Sequence, residues 1–167
     1  MAQAYPLRCQ GAYTGGMLLS PHFSLRELTQ SQTAARLGII NQPGPKELEA
    51  LKLVCTQILE PVRAQFHVPI FPSSGYRCPA LNAAIGGSAK SQHCQGAAVD
   101  FEVAGLSPRS LVLWIQSNLT YDQLILEFPL PKDVNAGWVH VSRVKGANRR
   151  QSLTKTRSGI SSGFPAF

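Results

Sequence analysis

Negative charge is scarce in this chain. Nine Asp and Glu residues stand against sixteen Lys and Arg across 167 positions, a formal charge of +7, and no acid follows Asp133. Long apolar runs are lacking as well. None approaches the roughly 20 residues that span a bilayer as a helix, so no transmembrane segment is expected. The start, Met-Ala-Gln-Ala-Tyr-Pro-Leu-Arg, has no basic stretch leading into an apolar one, which argues against a secretory signal. The expectation is a protein made in the cytoplasm with reduced thiols. The four cysteines, Cys9, Cys55, Cys78 and Cys94, show no Cys-x-x-Cys spacing, and a Cys78–Cys94 bridge has no support in the sequence. No internal repeat is visible.

What is present is a globular composition, 44% hydrophobic and only 15% charged, in a length that makes one ordinary domain. Residues 1–16 read as an N-terminal extension, 17–157 as the domain proper, and 158–167 as a Gly/Ser-rich tail. Arg143, Lys145, Arg149, Arg150, Lys155 and Arg157 crowd the C-terminal end. They are either a solvated basic face or an attraction for a polyanion such as a cell-wall polymer, lipid head groups or nucleic acid.

Local signals order the elements. Ser24-Leu-Arg-Glu27 is a capping box that opens a helix through Ala35, ending near Gly38. Leu48, Leu51, Val54, Cys55, Ile58, Leu59 and Val62 recur at helical spacing over Lys46 to Phe66, with Pro61 expected to kink or end that helix. Val68 to Pro72 reads as an edge strand, Ala80 to Ile85 as a short helix, and Ser107-Pro108 as the start of a helix through Leu119. Strands are expected over Ala97–Val103, Asp122–Phe128 and Trp138–Val144, with Asp122 a turn or edge residue. Helices first and strands later imply an α+β fold with a small antiparallel sheet flanked by helices.

Alternation along the three strands points to chemistry. Val99, Phe101, Leu124, Leu126, Val139 and Val141 can bury one face, leaving Asp100, Glu127 and His140 on the other. His93 arrives from the turn before the first strand. A carboxylate in an apolar run is costly unless paired or metal-bound. Two imidazoles and one carboxylate form a catalytic zinc set with a fourth position open for water. Glu127 is then the candidate general base, and Arg77 the candidate to hold a substrate carboxylate or the developing oxyanion. His22 and His67 read as structural, and Cys55 as a buried thiol.

Ser74-Gly-Tyr-Arg77, Leu81-Asn-Ala-Ala-Ile-Gly-Gly87, Ser91-Gln-His-Cys-Gln-Gly-Ala-Ala-Val-Asp-Phe101 and Trp138-Val-His140 resemble the D-alanyl-D-alanine carboxypeptidase family of zinc peptidases. That group also holds lysostaphin-type peptidases and the hedgehog signalling domain. The resemblance covers about Leu18 to Leu153, and Tyr121-Asp-Gln-Leu-Ile-Leu-Glu127 is similar to small phage and prophage members. It implies a hedgehog-like fold, zinc held by His93, Asp100 and His140, and Arg77 as the substrate-binding arginine; Ser91 and Trp138 are further candidates for substrate contact, Trp138 either packing in the core or lining the cleft. It also implies hydrolysis of a peptidoglycan stem peptide at a bond involving a D-amino acid, by a monomer that reaches the wall through holin-type release or as a virion component. The basic end would suit an anionic envelope polymer, and no specific nucleic acid is expected. Many members carry an acid three residues before the last histidine. Here that position is Gly137, so Glu127 has to supply the base. The other class of function is a non-catalytic zinc module that binds wall or a protein partner.

Overall fold

Caps and apolar spacing set the helices. The computed structural model describes residues 16–165, so the extension expected over residues 1–16 lies, but for Gly16, outside the described residues. A short hairpin, β1 (Leu18–Ser20) and β2 (Phe23–Ser24), leads into α1 (Leu25–Thr29). The capping box is reciprocal: the Glu27 N–H donates to Ser24 Oγ at 3.3 Å and the Ser24 N–H to the Glu27 carboxylate at 2.7 Å,. The single helix expected to Ala35 breaks instead. Gln30 is extended, and Ser31 caps a separate helix, α2 (Gln32–Leu37), by accepting the Ala34 N–H. A serine able to satisfy a free N–H offers the backbone this alternative start.

The long apolar helix runs from Pro45 to Phe66 without ending at Pro61. It comprises α3 (Pro45–Val54), a π turn (Cys55–Leu59) and α4 (Glu60–Phe66). Proline has no N–H and its ring crowds the carbonyl four residues back. In the π turn the Glu60 N–H reaches Cys55 O, one residue further than in an α-helix, and the chain passes Pro61 still helical,. Leu51, Val54, Cys55, Ile58, Leu59 and Val62 are all fully buried on one side of this helix. Burial also pushes the Cys55 thiol up to about 12, which leaves it protonated and inert.

The remaining elements are α5 (Pro79–Ala84), β3 (Ala98–Phe101), α6 (Pro108–Asn118), β4 (Gln123–Glu127), β5 (Trp138–Ser142), β6 (Gln151–Thr156) and β7 (Gly159–Ser162). The fold is α+β. Its main sheet has five strands in the order β3-β5-β4-β6-β7. One face carries Val99, Phe101, Leu124, Leu126, Val139 and Val141 into a core shared with Leu111, Val112 and Ile115 of α6 and with the long helix. The expected strand over Val68 to Pro72 is reduced to a single bridge, Ile70 to Val103.

Three sequence expectations are corrected here. The sheet is mixed rather than wholly antiparallel, because β4 and β6 run parallel, with Glu127 opposite Lys155. β5 ends beside the start of β4, and residues 143–150 carry the chain across that end before β6 begins on the far side. Asp122 pins the crossing and is neither a mere turn nor an edge residue. Its carboxylate accepts the Arg149 N–H at 3.0 Å and the Arg149 Nε–H at 3.0 and 3.1 Å, and its carbonyl accepts the Gln151 N–H. The basic end is therefore folded. Arg149 pairs with Asp122, Lys155 with Glu127, and Arg150 donates to the Gln116 and Leu119 carbonyls at the end of α6,. The stretch read as a tail from residue 158 contains β7.

Hydrogen bonds from Arg149 hold the Asp122 carboxyl at about 2, below its ordinary 3.8. A depressed carboxylate stabilises the fold above its unfolded pKa and loses that contribution as pH falls toward its folded one. With solvent screening at the half-exposed guanidinium, the contribution is about 1–2 kcal/mol. Urea unfolding of Asp122→Asn should show that deficit at pH 7, and the gap from wild type should close between pH 4 and pH 2.

Candidate metal centre

β3 and β5 pair antiparallel with Asp100 directly opposite His140. Val99, Phe101, Val139 and Val141 occupy the core side, so alternation turns both polar side chains to the other face. His93 comes from the 3-10 turn Gln92–Gln95, which Gly96 closes at φ 66°. A Cβ on Gly96 would lie 2.3 Å from the Glu47 carbonyl of α3, so only glycine lets this turn seat on the long helix.

Three lone-pair donors converge. His93 Nε2 lies 3.2 Å from Asp100 Oδ1 and 3.1 Å from His140 Nδ1, and the latter two atoms are 2.8 Å apart. The three residues form a group able to hold a metal ion. Ligands around a tetrahedral zinc with bonds of about 2.0–2.1 Å stand roughly 3.3 Å apart, so the triangle fits with little adjustment. His93 Nδ1 lies 2.6 Å from the Gly75 carbonyl and donates its hydrogen there, which aims the free Nε2 lone pair at the cluster,. Burial pushes the His93 imidazole below its usual range and keeps it neutral. Burial alone would raise the Asp100 carboxyl, but His93 and His140 override it and hold Asp100 well below the carboxylate range. Both protonation states are those of a ligand.

The Ser74-Gly-Tyr-Arg77 segment frames this group through its backbone. Asp100 N–H donates to Ser74 O at 2.8 Å, Tyr76 N–H to Leu28 O at 2.7 Å, and Arg77 N–H to His93 O at 3.2 Å. The Arg77 guanidinium lies 3.5 Å from Asp100 Oδ2, while its buried Nε has no hydrogen-bond partner among the described residues. Arg77 and Asp100 line a cleft of about 760 Å³ with Ser73, Ser74 and Tyr76.

Glu127 ends β4 on the same face. It is opposite Trp138, one step beyond Ile125, which faces His140. It stands apart from the donor triangle, is buried, and pairs with Lys155 Nζ through Oε2 at 2.9 Å. Trp138 packs on Phe128 with ring centroids 5.2 Å apart. Ser91 precedes the His93 turn and accepts the Cys94 N–H at its carbonyl; it does not line the Arg77 cleft. His22 pairs with Glu60 at the surface, and His67 ends α4 at φ 55°. Cys78 and Cys94 are free thiols, with Cys78 Sγ accepting the Leu81 N–H. Lys155, the Gly75 carbonyl and the Asp122–Arg149 pair escaped sequence reasoning, because each acts through a long-range contact with no local pattern.

The sequence model of the family described as Peptidase M15 matches residues 21–142. The chain belongs to the peptidase M15 family. These are zinc-dependent peptidases of the D-Ala-D-Ala carboxypeptidase group, and the donor set of this M15 chain fits that ion. No curated protein matches the chain. The missing acid of this M15 member has a packing cause. Gly137 adopts φ 91°, and a Cβ there would lie 2.1 Å from the Glu127 carbonyl. No side chain fits, and the backbone of Glu127 fills the space.

Zinc should bind the purified protein at one ion per chain and raise its Tm, and chelator should reverse the shift. His93→Ala, Asp100→Ala or His140→Ala should each weaken zinc binding about a hundredfold or more in a competition titration. Gly137→Ala should lower stability by roughly 1–3 kcal/mol even without metal, read from urea unfolding in the presence of chelator.

Proposed function

We propose that this peptidase hydrolyses peptidoglycan stem or cross-link peptides at a bond involving a D-amino acid, as a cell-wall lytic enzyme of the endolysin kind. The observation that carries this reading is the three-donor group opening beside a cleft lined by Arg77, whose buried Nε has no partner among the described residues. Zinc held by His93, Asp100 and His140 would acidify a water and polarise a substrate carbonyl,.

The remaining chemistry belongs to this chain's side chains. Arg77 holds a substrate carboxylate or the developing oxyanion. Lys155 engages only Oε2 of Glu127, so Oε1 is left to accept a proton from the attacking water. As the new C–O bond forms and the C–N bond breaks, Glu127 returns that proton to the leaving amine. Trp138, two residues before His140 on the same strand face, walls a neighbouring cleft with Phe128. The place of action follows from the substrate: the cell wall, reached by holin-type release or within a virion. Exposed cations such as Lys145 favour an anionic envelope polymer there,. The absence of an acid at Gly137 favours a second reading, a non-catalytic zinc module that binds wall or a protein partner.

Mass spectrometry of muropeptides released from purified cell walls tests the reading. Cleavage should stop with chelator and return with zinc. Glu127→Gln should keep its zinc yet lose about 10²–10⁴-fold in kcat/KM, and Arg77→Ala should lose mainly through a raised KM. Cross-links left whole after long incubation with zinc-loaded protein would instead support the binding module.

A further inference from the structure

The sheet order places the donor triangle between two clefts. Segment 73–77 bridges the outer edge of β3, so the Arg77 cleft lies on that side. On the other side, past β5 and β4, a second cleft of about 860 Å³ is lined by Phe128, Leu130, Trp138, Thr156, Arg157 and their neighbours, with no acidic side chain among them. Trp138 is two residues from His140 on the same strand face, a step of roughly 7 Å. The second cleft therefore begins beside the metal site rather than at a distance from it.

The far wall of this cleft comes from the β6–β7 hairpin, which lies wholly beyond residue 142, where the family match ends. The register that sets Lys155 opposite Glu127 carries the hairpin turn, Arg157-Ser158, past the end of β4 and alongside Phe128. Lys155 spends its charge on Glu127. Arg157 is exposed, and among the described residues it is the one cation lining the cleft. Aromatic and aliphatic surface with one guanidinium at the rim suits a peptide that carries an acid.

We propose that this cleft receives the acyl side of the substrate and that Arg157 selects a residue bearing a free carboxylate. The assignment rests on the peptidase reading: with Arg77 on the leaving-group side, the acyl portion crosses Glu127 and Trp138 toward Arg157. The hairpin is then a specificity element added to the family-matched body of the protein.

Labelled tripeptides corresponding to the acyl product, with glutamate or glutamine at the last, second-last or third-last position, test this by fluorescence anisotropy on the zinc-loaded full chain. At one position glutamate should bind about three- to tenfold tighter than glutamine. Arg157→Gln should abolish the difference, and Arg157→Glu should reverse it in favour of a lysine peptide; Arg157 sits in an exposed turn, and an unchanged Tm verifies the fold. Equal binding of both peptides at all positions, a preference that survives in Arg157→Gln, or no binding of any tripeptide overturns the proposal. Zinc-dependent muropeptide release decides the peptidase reading separately.

Discussion

Lone pairs on His93 Nε2, Asp100 Oδ1 and His140 Nδ1 held about 3 Å apart repel one another unless a proton or cation lies among them. That constraint organises the molecule. Asp100 and His140 are fixed by the β3–β5 register, and that register is fixed in turn by the valines and phenylalanine behind them. Slipping either strand by one residue would bury the two polar groups and expose the core. Metal site and hydrophobic core are two faces of one strand pair.

The two catalytic candidates outside the triangle are placed by different parts of the chain. Arg77 belongs to a segment stitched by backbone hydrogen bonds to β3, to α1 and to the His93 turn. Glu127 ends β4 and takes its ion partner from β6. The Asp122–Arg149 clamp that guides the chain across the sheet into β6 therefore also delivers Lys155. A buried carboxylate just before β4 and an arginine just before β6 together fix where the last hairpin sits.

Much of this was legible in the residues. The alternation of Val99 and Phe101, Leu124 and Leu126, and Val139 and Val141 named the buried face, and with it the face bearing Asp100, Glu127 and His140. The capping box at Ser24 and the long apolar helix were equally plain. β6 was not. Gln-Ser-Leu-Thr-Lys-Thr carries one large apolar side chain, and its buried member is Thr154, so no period of two appears. Its burial comes from pairing with β4, a contact that local sequence does not encode. Asp122 looked like a turn for a related reason, since its arginine lies far along the chain. The π turn also escaped notice, because a proline in an apolar helix signals a break unless one knows that the flanking turn can widen.

Gly96 sits against the Glu47 carbonyl with no room for even a methyl group. The His93 turn thus lies in close contact with the backbone of the long helix, and that packing is given up if the turn moves outward,. For the ion to leave through loss of this imidazole, the turn must lift from the helix backbone, so release is gated by a fluctuation of the scaffold. Metal exchange and amide exchange around the start of that helix should then share one slow clock.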